Sequence, residues 1–536
     1  MKSIVSHIFF ICFVPLFVLA DVNSEFQALV QSFTEERLSP DQAHCGFINY
    51  NRMQQLMTQI GPDMQMLAKE AKVAQRPVRQ DSVLSPGGHF MLHFNWTGQD
   101  SVPNVDIGNN GVPDFVDSAG VYLEKTWDVE ITQLGFHRPP GKDGNPIQVY
   151  PVYFTNFSYY GLTTPEDMVN YNGVTESAYT SYLELHNDYE GSMFYSNGLE
   201  GLKVTAAHEF HHAIQLGYNA DYYDNIFFME MTSTWLEDYV FEEVNDYVFY
   251  LNSFFRYLFS ISFTSTSGFN PYANCLYVHM LEKKYGPKII TDIWDRIINE
   301  NALIALDHEL HLHARNSSFA ESQNQYAGWL YFTGSRAIPD LYFPEGADYP
   351  EIEPDEGSES FDFGIADQGI RLIELTPPIT GLAKAKVISQ DDGKFSHIIN
   401  HQLLTKPVDF GSNDIITINK NETTIVVLSN PNYGYVDDLE YEVKRGKIIT
   451  VPETGEGPII ISSTSSAMNF FNVPENATIR IFNILGQKIR TLRNESGNQL
   501  VWNLKDSSGK RITTGTYIYH VKTDGFELTG KLTVFK

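Results

Sequence analysis

The chain has 536 residues and a mass of 60.9 kDa, enough for three or four domains of about 100–200 residues. Hydrophobic residues make up 42% and charged ones 19%, which is a globular composition and excludes a disordered chain. The 66 acidic and 37 basic residues give a formal charge of −29, which opposes nucleic-acid binding where no basic patch intervenes, and 3 Cys exclude a disulfide scaffold or a Cys-rich zinc module.

Lys2 and the apolar run 8–19, closed by Val18-Leu19-Ala20 before Asp21, predict a secretory signal peptide over 1–20. Roughly a dozen apolar residues are too few to span a bilayer stably, although an N-terminal anchor is the alternative. Cys12 would be lost on cleavage. Cys45 and Cys275 would then remain, able to form one disulfide in an oxidising compartment, though the sequence does not place them in contact. No later run is apolar and long enough to cross a membrane, so the mature chain should carry no transmembrane helix.

Residues 21–80 are polar and rich in Met and Gln, with helical spacing at 53–57 and 64–71, and read as a helical segment or a propeptide. Strand-like runs follow at 89–94, 147–154 and 181–186. The last of these is a candidate sheet edge for pairing with an extended peptide. Between the first two runs lies Asp106-Ile-Gly-Asn-Asn110-Gly111-Val-Pro-Asp114-Phe-Val-Asp117, which is spaced like a twelve-residue calcium loop. Asp106, Asn110, Asp114 and Asp117 are its candidate Ca²⁺ ligands. Gly108 at the third position supplies no side-chain oxygen, and an Asx/Gly turn without metal is the alternative.

From about residue 198 the period becomes helical, with amphipathic segments near 199–216, 227–242, 246–259, 272–285, 288–299 and 318–331. Strands followed by helices make an α+β lobe over 81–350. The first helix contains Val204-Thr-Ala-Ala-His208-Glu209-Phe-His-His212-Ala-Ile-Gln. Residues four apart share one helix face, so two imidazoles can reach one Zn²⁺, and the Glu beside the first faces the water that such an ion binds. With 16 His in the chain, the H-E-x-x-H pattern is expected by chance roughly 0.03 times. The next helix brings Glu230-Met-Thr-Ser-Thr-Trp235-Leu-Glu237-Asp238. A second cluster, His308-Glu309-Leu-His311-Leu-His313, lacks the i, i+4 pair and reads as solvated helix or loop.

These residues resemble gluzincin-type metallopeptidases, in which a second helix carries a Glu ligand in an E-x-x-A-x-W-like setting; here Ser233 stands where Ala is usual. Within that clan the chain from about 90 to 350 is similar to a group of secreted bacterial metallopeptidases with H-E-F-x-H-A-I-Q and a downstream W-x-E-D. The resemblance implies zinc held by His208, His212 and Glu230, with Glu237 as the alternative third ligand or a carboxylate behind the ligands. It implies Glu209 as general base, and Tyr272, with Tyr277 second, as the aromatic at the oxyanion. A protein or peptide would be the substrate.

The acidic stretch 349–357 and the segment 451–458 read as linkers. They bound a β-sandwich-like domain over 358–448, with strand runs at 415–419 and 424–428, and a last module over 459–536. That module carries Ala477-Thr-Ile-Arg-Ile-Phe-Asn-Ile-Leu-Gly-Gln-Lys, Trp502-Asn-Leu-Lys-Asp-Ser-Ser-Gly509 and Thr514-Gly-Thr-Tyr517-Ile-Tyr519. It resembles the type IX secretion C-terminal sorting domain and the FlgD-like Ig module, which implies an Ig-like β-sandwich, export by a secretion machinery and a bacterial extracellular or cell-surface location. The expected architecture is therefore multidomain: a zincin-like α+β peptidase domain followed by all-β domains. A non-catalytic surface adhesin on a peptidase-like scaffold and a metal-dependent hydrolase of a non-peptide substrate are the competing readings.

Overall fold

The computed structural model describes residues 14–33, 44–70, 75–219, 222–258, 260–313 and 317–357, and then the segments 362–365, 368–375, 382–388, 393–400, 402–403, 407–409, 416–419, 422–432, 439–446, 448–450, 459–462, 467–471, 477–494, 499–523 and 526–535. Most of the expected signal peptide (1–13) and the expected linker 451–458 lie outside the described residues. The chain is mixed α/β with several sheets. It divides into two compact units, one of residues 1–257, 263–319 and 333–351, the other of 258–262, 320–332 and 352–536.

The first unit opens with helices α1 (Val14–Ser32), α2 (Phe47–Met57) and α3 (Pro62–Glu70). The first of them runs without a break through the expected cleavage point after Ala20. None of the described helices is long and apolar enough to cross a membrane. Phe26, Val30, Tyr50, Met53, Leu56 and Ile60 form one core with Leu162, so α1 and α2 are packed against later residues of the same unit.

Five strands make the sheet of this unit: β1 (Asp81–Leu84), β2 (Phe90–Phe94), β3 (Tyr150–Thr155), β4 (Gly161–Tyr171) and β5 (Val174–His186), in the order β1-β2-β3-β5-β4. β2, β3 and β5 are parallel, and β1 and β4 flank them antiparallel. In β2 the alternation buries Phe90, Leu92 and Phe94, as a period of two requires. Ser181–His186 lies within β5, between β3 and β4, and is not a sheet edge; the edges are β1 and β4, and β4 has too mixed a polarity to stand out in the sequence. Helix α4 (Asp114–Trp127) crosses between the first two parallel strands.

The helices begin with α5 (Leu199–Gln215) and α6 (Tyr222–Val240). Nearly every residue of α5 from Gly201 onward is buried, because β4 and β5 pack on one side and α4 and α6 on others. Helices α7 (Val248–Tyr257), α8 (Asn270–Ala273), α9 (Cys275–Tyr285), α10 (Lys288–Ile297), α11 (Ala302–His313) and α12 (Phe319–Tyr331) follow. The helix breaks at Asn274, so Tyr272 sits in the short turn of α8 rather than at the head of one long helix. Cys45 and Cys275 are both free and buried, so the disulfide that the sequence left open is not formed.

In the second unit residues 320–332 join the β-rich part, because the Asn324 side-chain amide donates to Lys394 O, Val427 O and Ser429 Oγ. Strands Ile370–Leu375, Lys394–Ile399 and Thr424–Ser429 form the middle of one sheet. Asp355–Gly357 pairs onto it, so the expected acidic linker ends in a strand. A second sheet contains Asp362–Ile365, Leu382–Ile388, Ile416–Asn419 and Leu439–Gly446, and both sheets share a core around Ile373, Val387, Phe395 and Ile418. The C-terminal strands repeat the pattern: Met468–Phe471 and Gln499–Trp502 lie in one sheet, Thr478–Asn483, Gly515–Thr523 and Phe526–Phe535 in another, and Trp502, Ile479, Tyr517 and Val521 meet between them.

One acidic group makes the first unit sensitive to pH. Burial, and then the carboxylates of Glu345, Glu242, Glu282 and Glu237, push Asp238 on α6 up to about 8. The native state therefore keeps a proton that the unfolded chain has already released above about pH 4, and stability falls as pH rises from there through about 8. Asp238→Asn should remove this component. Urea midpoints measured at pH 5 and pH 8 should draw together, with the variant gaining most at pH 8.

Candidate metal centre

His208 and His212 project from one face of α5, and their Nε2 atoms lie 3.1 Å apart. Glu230 arrives from α6, with Oε2 3.2 Å from His208 Nε2 and Oε1 3.5 Å from His212 Nε2. The structure adds a fourth group, the Cys45 thiol, whose Sγ is 3.5 Å from His212 Nε2. All four residues are buried, and one donor atom from each lies within 4.8 Å of the others.

The protonation of the imidazoles is set from behind. His208 Nδ1 is 2.6 Å from Glu237 Oε1, an acceptor when ionised, so the ring hydrogen sits on Nδ1. His212 Nδ1 is 2.7 Å from Gln215 Oε1. The amide of Gln215 cannot turn over, because its Nε2 donates to Met229 O at 2.9 Å. In their neutral forms both Nε2 atoms therefore present lone pairs toward each other, toward a carboxylate and toward a sulfur. Neither oxygen of the fully buried Glu230 has a well-formed hydrogen bond. Donors facing donors in a dry interior need a positive charge between them.

The ionisation equilibria reflect the same field. Burial lowers the His208 pKa, but Glu230 and Glu237 more than reverse this and lift it to about 10. Burial raises the Glu230 pKa, and His212 and His208 bring it down to about 2. Burial, followed by Glu209 and Glu230, pushes the Cys45 thiol well above its usual range. The four side chains fit a metal ion, with Glu237 and Gln215 orienting the two imidazoles as carboxylate and amide partners of metal-bound His do. Ser233, at the position where Ala was expected, puts Oγ 3.3 Å from His212 Nδ1.

Glu209 is buried beside this cluster. Thr163 Oγ1 lies 2.7 Å from its Oε2 and 2.8 Å from its main-chain carbonyl. The Cys45 thiol borders the same carboxylate. Tyr272 is brought to the wall of the site, its ring 6.1 Å from that of His208 and 4.4 Å from that of His44. His44 in turn bonds through Nδ1 to Tyr250 Oη at 2.8 Å and places Nε2 3.4 Å from Glu237 Oε1. Tyr277 packs instead against Phe263, with ring centroids 4.9 Å apart. His211, the remaining histidine of the pattern, faces the other side of α5 and meets Glu130 at 2.8 Å.

The remaining candidates do not gather in this way. Asp106 accepts from the main-chain N–H groups of Asn110 and Gly111, Asp114 accepts from Ile107 N, and Asn110 donates to Asp117. These contacts define an Asx-type loop leading into α4, where Asp114 and Asp117 also suit the positive helix terminus. Among the described residues the carboxylates of Asp106, Asp114 and Asp117 do not form a convergent group. His308 and His311 are exposed on α11 and engage Glu300 and Asp307. Sequence reasoning missed His44, Thr163 and Gln215, and considered Cys45 only for a disulfide. The adjacent ligand types His44-Cys45 were the available signal.

No family model matches the chain, and no curated protein matches it. Among solved structures, PorZ, a surface component of the type IX secretion system of Porphyromonas gingivalis, is 14% identical, with a TM-score of 0.13 over 15% of this chain and 11% of PorZ. The adhesin domain of Epf from Streptococcus pyogenes is 11% identical, with a TM-score of 0.12 over 33% of this chain and 73% of that domain. Latent PorU from P. gingivalis is 12% identical, with a TM-score of 0.12 over 34% of this chain and 19% of PorU. These likenesses are too slight to assign a fold, and the reading of the site rests on its own geometry.

The contact between the edge strand and α5 is testable without any assay of activity. A Cβ on Gly161 would lie 2.5 Å from Glu209 Cγ and 2.7 Å from Thr205 Cγ2, so only glycine lets β4 approach the helix this closely. Gly161→Ala should destabilise the protein by about 1–3 kcal/mol, the usual range for overpacking. A lower urea midpoint with an unchanged slope would report it.

Proposed function

We propose that the protein is a secreted zinc-dependent endopeptidase, with a zincin-like domain of the gluzincin type carrying the site. The observation that carries this reading is the buried Glu209 carboxylate on the helical turn that presents the two His Nε2 lone pairs to Glu230. A set of two His and a Glu suits zinc in geometry and softness, and Glu237 supplies the carboxylate behind one His. Zinc bound there would polarise the scissile carbonyl and acidify a water molecule. Glu209 would then take the proton of the attacking water and deliver it to the departing amine, while Thr163 holds its carboxylate. Tyr272 stands close enough to serve as a wall or hydrogen-bond donor at the carbonyl oxygen.

The expected signal peptide and the resemblance of the C-terminal module to type IX sorting domains support a route out of a bacterial cell through a secretion machinery. The two-sheet core around Trp502, Ile479 and Tyr517 is compatible with an Ig-like module. One observation favours a second reading, a metal-stabilised but non-catalytic surface protein: counting Cys45, the cluster has four protein donors, as structural zinc sites do.

One substitution separates these readings, and a second tests the metal site that both share. Glu209→Gln should keep one zinc per chain and abolish chelator-sensitive hydrolysis of casein; undiminished hydrolysis by a pure variant would remove the general-base assignment. Glu237→Gln should weaken zinc binding by about 10–100-fold, the usual cost of losing a carboxylate behind a ligating His, in a competition titration against a chelating dye.

A further inference from the structure

The approach to the metal cluster is filled by the chain itself. Residues 44–46 lie alongside the start of the edge strand β4 and then turn into α2: Cys45 bridges to Gly161 in parallel pairing, Gly46 N donates to Gly161 O at 3.0 Å, and Tyr160 N donates to His44 O at 3.0 Å. An exposed sheet edge beside a catalytic helix is where an extended peptide would add as a further strand. Here that edge is taken by the N-terminal segment.

The side chains along this segment enter the site one after another. His44 meets the rings of His208 and Tyr272 edge-on. Cys45 Sγ lies 3.5 Å from His212 Nε2, accepts the Phe47 N–H at 3.3 Å and borders Glu209. Phe47 stacks on His212, with centroids 4.3 Å apart and planes 15° from parallel. The sulfur thus sits between the ligand cluster and the carboxylate assigned as base, which is the position an attacking water needs. A main-chain N–H directed at the sulfur suits a metal-bound thiolate. A second and independent sign that a ligand is required is Glu230, fully buried with both oxygens lacking a well-formed hydrogen bond.

Resting on the metallopeptidase reading, we propose that the protein is latent, with His44–Phe47 as an intramolecular plug and the Cys45 thiolate as the fourth metal ligand. The S–H proton passes to solvent as the sulfur–metal bond forms. The open fourth position that a catalytic zinc needs becomes available only when this segment leaves.

The test uses the full chain loaded with Co²⁺ in place of zinc, because a thiolate on Co²⁺ gives a near-ultraviolet charge-transfer band that His and Glu do not. The wild-type chain should show the band, and Cys275→Ser should keep it. Cys45→Ala and Cys45→Ser should lose the band while retaining one metal per chain and the wild-type near-ultraviolet circular dichroism of the apo protein. Zinc-loaded Cys45 variants should hydrolyse casein faster than wild type, by about a hundredfold if the plug is seated in ninety-nine molecules of a hundred. Absence of the band in wild type would overturn the proposal whatever the hydrolytic activity. Equal hydrolysis by wild type and the Cys45 variants would also overturn it and would leave the peptidase reading standing. A band abolished by Cys45→Ala, with no hydrolysis by any form, would instead overturn the peptidase reading and the latency that rests on it.

Discussion

The site depends on two hydrogen bonds that do not touch the metal position at all. Glu237 and Gln215 each hold a His Nδ1, and so fix which ring nitrogen carries hydrogen. Without them either imidazole could rotate or tautomerise, and the 3.1 Å approach of the two Nε2 atoms would relax into an ordinary N–H···N hydrogen bond. With both hydrogens held behind, the two lone pairs, the Glu230 carboxylate and the Cys45 sulfur face a common point from which water is largely excluded. The interior then calls for positive charge at that point, either a metal ion or, without one, the proton that Glu230 and Glu237 hold on His208.

The rest of the first unit serves this constraint. α5 is buried on nearly all sides, so its two His cannot turn outward. α6 supplies both Glu230 and Glu237, one for the front of His208 and one for its back, and seven residues separate them, two helical turns on the same face. The edge strand β4 comes close enough to press on Glu209 because Gly161 has no side chain. The same close approach exposes a main-chain carbonyl to which Gly46 bonds. One glycine thus serves both the packing of Glu209 and the pairing with residues 44–46.

The parts of this arrangement that were legible in the sequence are those fixed by local periodicity. His208 and His212 are neighbours because any α-helix makes them so, and the long amphipathic or fully apolar helices stood out for the same reason. β4 was not legible, since a strand that pairs on one side and mixes polar with apolar residues has no clean period. Ser181–His186 was a candidate edge on its strand-like composition alone, which an inner strand shares, and it lies between β3 and β4. Cys45 was weighed only as half of a disulfide. Its true neighbour, His212, is far along the chain, and no local pattern encodes a contact of that sequence separation. The turn near Asp106 had the spacing of a calcium loop, but spacing does not determine whether carboxylates point inward at an ion or accept main-chain N–H groups, as they do here.

Four protein donors around one point would ordinarily signal a structural metal, and what weighs against that reading is the cost of Glu209. A structural centre gains nothing from an additional carboxylate in its wall. Glu209 is 1% exposed, and its described side-chain partners are Thr163 and the Cys45 thiol, neither of which carries a positive charge. Taking a carboxylate out of water is expensive, on the order of several kcal/mol when it is charged, and the offset at hand among the described residues is a cation in the neighbouring cluster of Cys45, His208, His212 and Glu230. A sequence that specified only a stable fold would place an apolar or amide side chain there. Local rules broken at such a cost are expected at functional sites and are rare elsewhere. Under the proposed function the sulfur that completes the donor set and the carboxylate that it borders belong together, as the closed form of a site that would need both an open metal position and a base beside it.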